Sequence, residues 1–152
     1  MKQNVSLNQI VKFLEQENIA VAGASAVKKK FGNEVVKELL ERKYNVFLLH
    51  PTAQEIDGRK CYQSVNDLPS EVSSIHISTS KKNTNAIVED AIKKGIPNIW
   101  VQQMSEDETT IQFNKEGFNL ITQKCLFMFL LPVKGVHKFH RSIKKFFGKL
   151  PK

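Results

Sequence analysis

One stretch constrains this chain more than any other. Ile19-Ala20-Val21-Ala22 runs without interruption into Gly23-Ala24-Ser25. A lysine triplet, Lys28-Lys29-Lys30, comes next. After Phe31-Gly32-Asn33, the apolar residues Val35, Val36, Leu39 and Leu40 recur at helical spacing. An unbroken apolar run is how a parallel strand covered on both faces reads. The stretch therefore predicts strand, tight turn and helix. Gly23 lets the backbone turn sharply and come close to a ligand. The following helix presents unpaired N–H groups and the positive end of its dipole. Ser25 adds a hydroxyl, and Lys28 and Lys30 add charge. Two readings fit: a site for a phosphate-bearing ligand, or a plain strand-to-helix turn with lysines for solubility.

The same alternation continues along the chain. Ser6 and Gln9 have the spacing of a capping box, and Ile10, Phe13 and Leu14 form a stripe that would lie on a sheet edge or face. Val46–Leu49 is a second buried strand, stopped at His50-Pro51. Glu55-Ile56-Asp57-Gly58 is expected to be a turn, Lys60–Tyr62 a short third strand, and Ser64–Pro69 a single helical turn. Ile75–Ile77 is a fourth strand, followed by Ser78-Thr79-Ser80 and a helix from about Asn83 to Lys94 that Gly95 stops. Asn98–Val101 is a fifth strand. Ser105–Glu108 reads as a capping box opening a helix that runs to Gly117, and Asn119–Ile121 is a sixth strand. The expected fold is a single α/β domain: a mostly parallel sheet of five to six strands with helices on both faces. Ligands of such sheets sit at the carboxyl ends of the strands. Gly23-Ala24-Ser25, His50-Pro51, Ser78-Thr79-Ser80 and Gln102-Gln103 should gather there.

A chain of 152 residues suits one domain. The net charge of +8 is unevenly placed. Residues 133–152 hold seven of the 23 basic residues and no acid, whereas the remaining sixteen face 15 acids. The body is thus nearly neutral, which argues against nucleic acid as its partner. In the tail, Val136, Phe139, Ile143, Phe146 and Phe147 fall three or four apart, with lysines and an arginine between them. This predicts a basic amphipathic helix over 133–152 that packs on the 1–132 domain or on a second copy rather than on a membrane. No apolar run has the length to span a bilayer, and the polar start lacks a signal-peptide core, so the cytoplasm is the expected location. Cys61 and Cys125 lie far apart and read as reduced, buried thiols.

The chemistry the chain lacks is also informative. The G-x-G-x-x-G dinucleotide fingerprint is absent: Ser25 replaces its second glycine and Lys28 its third. The second strand ends in His50-Pro51 rather than in an acid for a ribose, which disfavours NAD. There is no nucleophile paired with a base, no carboxylate pair and no strong metal motif. His137 and His140 alone do not make a zinc site, and His76 reads as a strand residue.

Several ordered pieces carry a resemblance: Val21–Ser25, Lys30–Asn33, Pro51, Glu55–Gly58, Lys60–Tyr62, Asp67–Pro69 and Ile99–Gln103, with His137–Arg141 and Gly148–Lys152 in the tail. On these the chain resembles the small stand-alone CoA-binding proteins, which are similar to the N-terminal Rossmann-like domain of the succinyl-CoA synthetase alpha subunit. The resemblance implies a Rossmann-like domain that binds CoA or acyl-CoA, with Gly23, Ala24 and Ser25 at the phosphates. Pro51 and its neighbours and Ser78-Thr79-Ser80 would flank the adenosine and pantetheine. It also implies binding without ligation, because the synthetase carries its phosphorylated histidine on a second domain that this chain is expected to lack. The rival expectation is an NAD(P)-using oxidoreductase, or a CoA-ligase-related subunit that needs a partner chain. Two positions depart from the family pattern: His50 replaces a usual asparagine and Met104 a usual glycine. Met104 is expected to crowd the ligand path.

Overall fold

A computed structural model describes residues 3–130. The expected basic helix over 133–152 lies outside the described residues. The chain begins with helix α1 (Leu7–Leu14), capped as its sequence predicts. Ser6 Oγ accepts the Gln9 N–H, and Gln9 Oε1 accepts the Ser6 N–H. Strand β1 (Asn18–Ala22), helix α2 (Phe31–Glu41) and strand β2 (Asn45–Leu49) follow. Next come strands β3 (Glu55–Ile56) and β4 (Arg59–Tyr62), strand β5 (Ser74–Ile77) and helix α3 (Lys81–Lys94). Strand β6 (Asn98–Gln102), helix α4 (Glu108–Gln112) and strand β7 (Asn119–Lys124) complete the order.

The sheet has seven strands in the order β3-β4-β2-β1-β5-β6-β7. Every pairing is parallel except that of β3 with β4. The seventh strand corrects the expected five to six. Glu55 and Ile56 are not turn residues but the first arm of a hairpin. Asp57 and Gly58 make its turn, with φ of 51° and 78°. Positive φ at both central residues is the twist a two-residue hairpin needs, and Asp-Gly supplies it.

Helix α4 departs from expectation at both ends. Its N-cap is Asp107 rather than Ser105, and the helix stops at Gln112 rather than Gly117. Asp107 Oδ1 accepts the Thr110 N–H at 3.1 Å, while the Asp107 N–H goes to Thr110 Oγ1 at 3.0 Å. Hydrogen bonds from Asn85 and Thr110 hold the Asp107 carboxyl below the usual carboxylate range. The β-branched run Thr109-Thr110-Ile111 favours helix weakly, so little extends it beyond its cap.

Alternate residues of each central strand feed two cores. Ile19 and Val21 join Trp100, Ile121, Val35, Leu39 and the α1 stripe on one face. Ala20 and Ala22 join Ile75, Ile77, Val101 and the α3 residues Val88 and Ala91 on the other. Helices thus cover both faces, which is why β1 carries no polar alternation. Parallel pairing brings all the strand carboxyl ends, except that of β3, to one edge.

Candidate functional site at the carboxyl edge

At that edge a cavity of about 490 Å³ opens where β1 lies between β2 and β5. This is the point where the chain reverses its direction of travel across the sheet, the usual ligand position in open α/β sheets. The volume falls in the range of small-molecule sites, roughly 300–1,000 Å³.

The loops after β1, β2, β4 and β5 and helix α3 wall the cavity. The first loop contributes Gly23 and Ala24 and, at the start of α2, Lys30. The second contributes His50 and Pro51, and the third Ser78, Thr79 and Ser80. The predicted residues from these loops therefore do meet. Ser25, Lys28, Gln102 and Gln103 do not line the cavity, and each has a physical reason.

Ser25 spends its hydroxyl on its own loop. Oγ accepts the N–H groups of Val27 at 3.2 Å and Lys28 at 3.3 Å. This turn leaves Lys28 exposed and away from the wall. The lysine triplet is divided: Lys30 lines the cavity, whereas Lys29 lines a second hollow of about 310 Å³ bounded by α2 and the β3–β4 hairpin.

Gln102 shares a sheet face with Trp100, opposite the cavity side of the strand. Its buried Oε1 accepts the Leu126 N–H at 3.2 Å and lies 3.2 Å from His76 Nε2. Because that oxygen can only accept, His76 donates through Nε2. Burial pushes His76 down to about 4, so the ring is neutral near pH 7. Gln103 is exposed, and its N–H continues the ladder to Lys124 O at 3.1 Å. Met104, expected to crowd the ligand, is off the cavity wall and mostly exposed, with φ of 75°. A left-handed backbone at that position explains why glycine suits it.

The first loop is held from two sides. Gly23 has φ of 122°, and a Cβ there would lie 2.6 Å from the Ser78 carbonyl oxygen. A Cβ on Gly32 would lie 2.4 Å from the Gly23 carbonyl carbon and 2.5 Å from Ala24 N. The first turn of α2 thus sits directly on the loop, bringing the helix N-terminus to the cavity. Asn33 locks this arrangement. Its Oδ1 accepts the Ser25 N–H at 2.9 Å and the Lys30 N–H at 3.0 Å, and its Nδ2 donates to Ser25 O at 3.0 Å.

The second loop is organised by His50. Its Nδ1 accepts the N–H groups of Thr52 at 3.2 Å and Ala53 at 2.9 Å. That pattern assigns the ring proton to Nε2. The third loop is tied by buried Thr84, whose Oγ1 lies 2.8 Å from Thr79 Oγ1 and 3.0 Å from Ser80 O.

Sequence reasoning missed the remaining walls. Gln63 and Ser64 follow β4, and Asn83, Ile87 and Asp90 come from α3. The last three are spaced four and three apart and so share one face of a helix, but the sequence does not show that this face meets the cavity. Cys61, in β4, is buried, and burial followed by the neighbouring Glu55 pushes its thiol up. It is therefore poorly suited to act as a nucleophile.

A family model described as the CoA binding domain matches residues 17–130. The chain belongs to the CoA-binding domain family. This CoA-binding domain is 31% identical over 110 residues to the alpha subunit of the ADP-forming acetate–CoA ligase II of Pyrococcus furiosus. The match covers 72% of the present chain and 24% of the subunit, so the domain spans about a quarter of that relative. Among solved structures it superposes on a hypothetical protein from Pyrococcus horikoshii OT3 with a TM-score of 0.71 and 30% identity. That match covers 84% of the CoA-binding domain and 95% of the other chain. It also superposes on the dinucleotide-forming acetyl-coenzyme A synthetase 1 of Ca. Korarchaeum cryptofilum, with a TM-score of 0.53 and 30% identity. There the cover is 66% of this chain and 22% of the synthetase. The fold thus fills nearly the whole of one neighbour and a fraction of the other. Among the described residues no helix is long and apolar enough to cross a membrane.

Proposed function

We propose that this CoA-binding domain holds CoA or an acyl-CoA in the carboxyl-edge cavity and performs no reaction on it. The observation that carries the reading is the Gly23-Ala24 turn. It lines the cavity beside Lys30 and the N-terminus of α2, and glycine at position 23 lets it close against the backbone of Ser78. Such a turn accepts a pyrophosphate through backbone N–H groups and the helix dipole. His50 and Pro51 then flank the adenosine, and Ser78, Thr79 and Ser80 offer hydroxyls along the rest of the ligand. His50 Nδ1 is committed to its own loop, and Cys61 is off the cavity wall, so neither is poised as a base or nucleophile. The expected setting is cytoplasmic, with neither nucleic acid nor membrane as partner.

The likeness to a ligase alpha subunit supports a second reading, in which this chain presents CoA to a partner chain that carries the ligation chemistry. In both readings CoA should bind better than NAD, because its 3′-phosphate adds charge that NAD lacks for Lys30 and the helix N-terminus to meet. Calorimetry with CoA, NAD and NADP tests this. Tighter binding of NAD than of CoA would overturn it.

A further inference from the structure

The loop after β5 holds a hydroxyl of fixed polarity. Thr84, fully buried near the start of α3, sets it. Its Oγ1 lies 3.0 Å from Ser80 O, 3.3 Å from Thr79 O and 2.8 Å from Thr79 Oγ1. A carbonyl oxygen can only accept, so the single hydroxyl proton of Thr84 is committed to the two carbonyls. The short contact between the hydroxyls then uses the proton of Thr79. Were Thr84 to donate there instead, its buried oxygen would face two carbonyl oxygens with no proton between them. Thr79 therefore donates to Thr84. Toward the cavity, which Thr79 lines, its Oγ1 offers only lone pairs.

An acceptor of this kind is out of place against a phosphate. Gly23, Ala24 and Lys30 form the end of the cavity assigned above to the phosphates. Thr79 stands at the mouth of α3, and Asn83, Ile87 and Asp90 descend that helix over about 10 Å at 1.5 Å per residue. Ile87 and Pro51 give the cavity apolar surface for a base. Asp90, the one acid lining the cavity among the described residues, closes this row and suits a base amino group. Phosphate, acceptor hydroxyl and base surface thus follow the order of a nucleotide, with its ribose at the acceptor. We propose that Thr79 accepts a hydrogen bond from the ribose 2′-hydroxyl of the ligand, and that Thr84 is the positioning residue that fixes this polarity. The proposal rests on the cavity holding CoA, whose extra phosphate sits at the 3′ position and leaves the 2′-hydroxyl free to donate. A 2′-phosphate, as in NADP, sets its oxygens against the lone pairs of Thr79. Thr79 is thereby given to the ribose, and Ser78 and Ser80 remain for the rest of the ligand.

Calorimetry on the full chain tests this with CoA and two isomers, adenosine 3′,5′-bisphosphate and adenosine 2′,5′-bisphosphate, which are the nucleotide ends of CoA and NADP. Wild type should prefer the 3′,5′ isomer about tenfold, the size of one hydrogen bond. Thr79→Val should reduce that preference to about twofold, through weaker binding of the 3′,5′ isomer. Thr84→Val keeps the shape but frees the Thr79 proton, and should reduce the preference through tighter binding of the 2′,5′ isomer. Thr84→Ser keeps the oxygen and should keep the preference. Equal binding of the two isomers by wild type would overturn the proposal, as would a preference that Thr79→Val leaves unchanged. Equal weakening of both isomers by Thr84→Val would also overturn it, because that is the mark of a structural role alone. So would CoA binding with neither isomer bound, whereas a wild type that binds neither the isomers nor CoA would overturn the underlying CoA reading as well.

Discussion

His76 shows what a single residue can cost a fold. The ring sits in β5 with no exposure, donates Nε2–H to Gln102, and has no partner for Nδ1 among the described residues. Unfolded, a histidine gains its proton near the ordinary value of about 6.5. Folded, His76 does so only at about 4. Between those values the unfolded chain binds more protons than the native one, so stability falls as pH drops through the window and the effect levels off below it. A gap of that size corresponds to about 3 kcal/mol when fully developed. Carboxylates contribute their own acid sensitivity, so the comparison is with His76→Gln, which keeps a donor for Gln102 and does not titrate. In urea titrations at pH 7.5 and pH 4.5, wild type should lose about 2 kcal/mol more than the variant. Equal losses would show that His76 takes up its proton without unfolding the core.

At the scale of elements, the cavity depends on the seating of α2 against the first loop. The helix is placed by two glycines in contact and by three hydrogen bonds to Asn33. Each such bond is worth about 1 kcal/mol net. Asn33→Ala should therefore lower stability by about 1–3 kcal/mol, and should weaken CoA binding more than Ser25→Ala does, since Ser25 Oγ holds only its own turn. Thermal melts and calorimetry on the two variants measure both effects. Equal affinity in wild type and Asn33→Ala would mean that the glycine contacts alone shape the loop. Gly23→Val is a poorer probe, because its Cβ meets Ser78 backbone and strains the fold as well as the site.

For the whole molecule, the single tryptophan reports on assembly. Trp100 is buried in β6, donates Nε1–H to Lys124 O at 3.0 Å, and stands edge-on to Phe13 of α1 with centroids 5.2 Å apart. Its emission therefore senses β7 and α1 together with the central sheet. If the domain unfolds in one step, fluorescence and far-ultraviolet circular dichroism should give coincident urea midpoints. A fluorescence transition preceding the other would show α1 leaving before the sheet opens.

The sequence by itself determined the strand–helix alternation, the burial of β1 on both faces, the Gly23-Ala24 turn, and the loops of His50-Pro51 and Ser78–Ser80 as its neighbours. All of these rest on local periodicity, caps and turn chemistry, which a few adjacent residues encode. The turn of the β3–β4 hairpin was legible through Asp57-Gly58, but the two residues of β3 are too few to show a period. Tertiary structure alone decided which side chains of those loops face the cavity. Lys30 reaches the wall and Lys28 does not, because Asn33 and Ser25 fold the loop between them. Gln102 turns inward because His76 and the Leu126 N–H, both distant in sequence, occupy its side chain. Asn83 and Asp90 became walls only when α3 crossed back over β5. The direction a side chain takes at a strand end depends on partners distant in sequence, and no local pattern records which partners those will be.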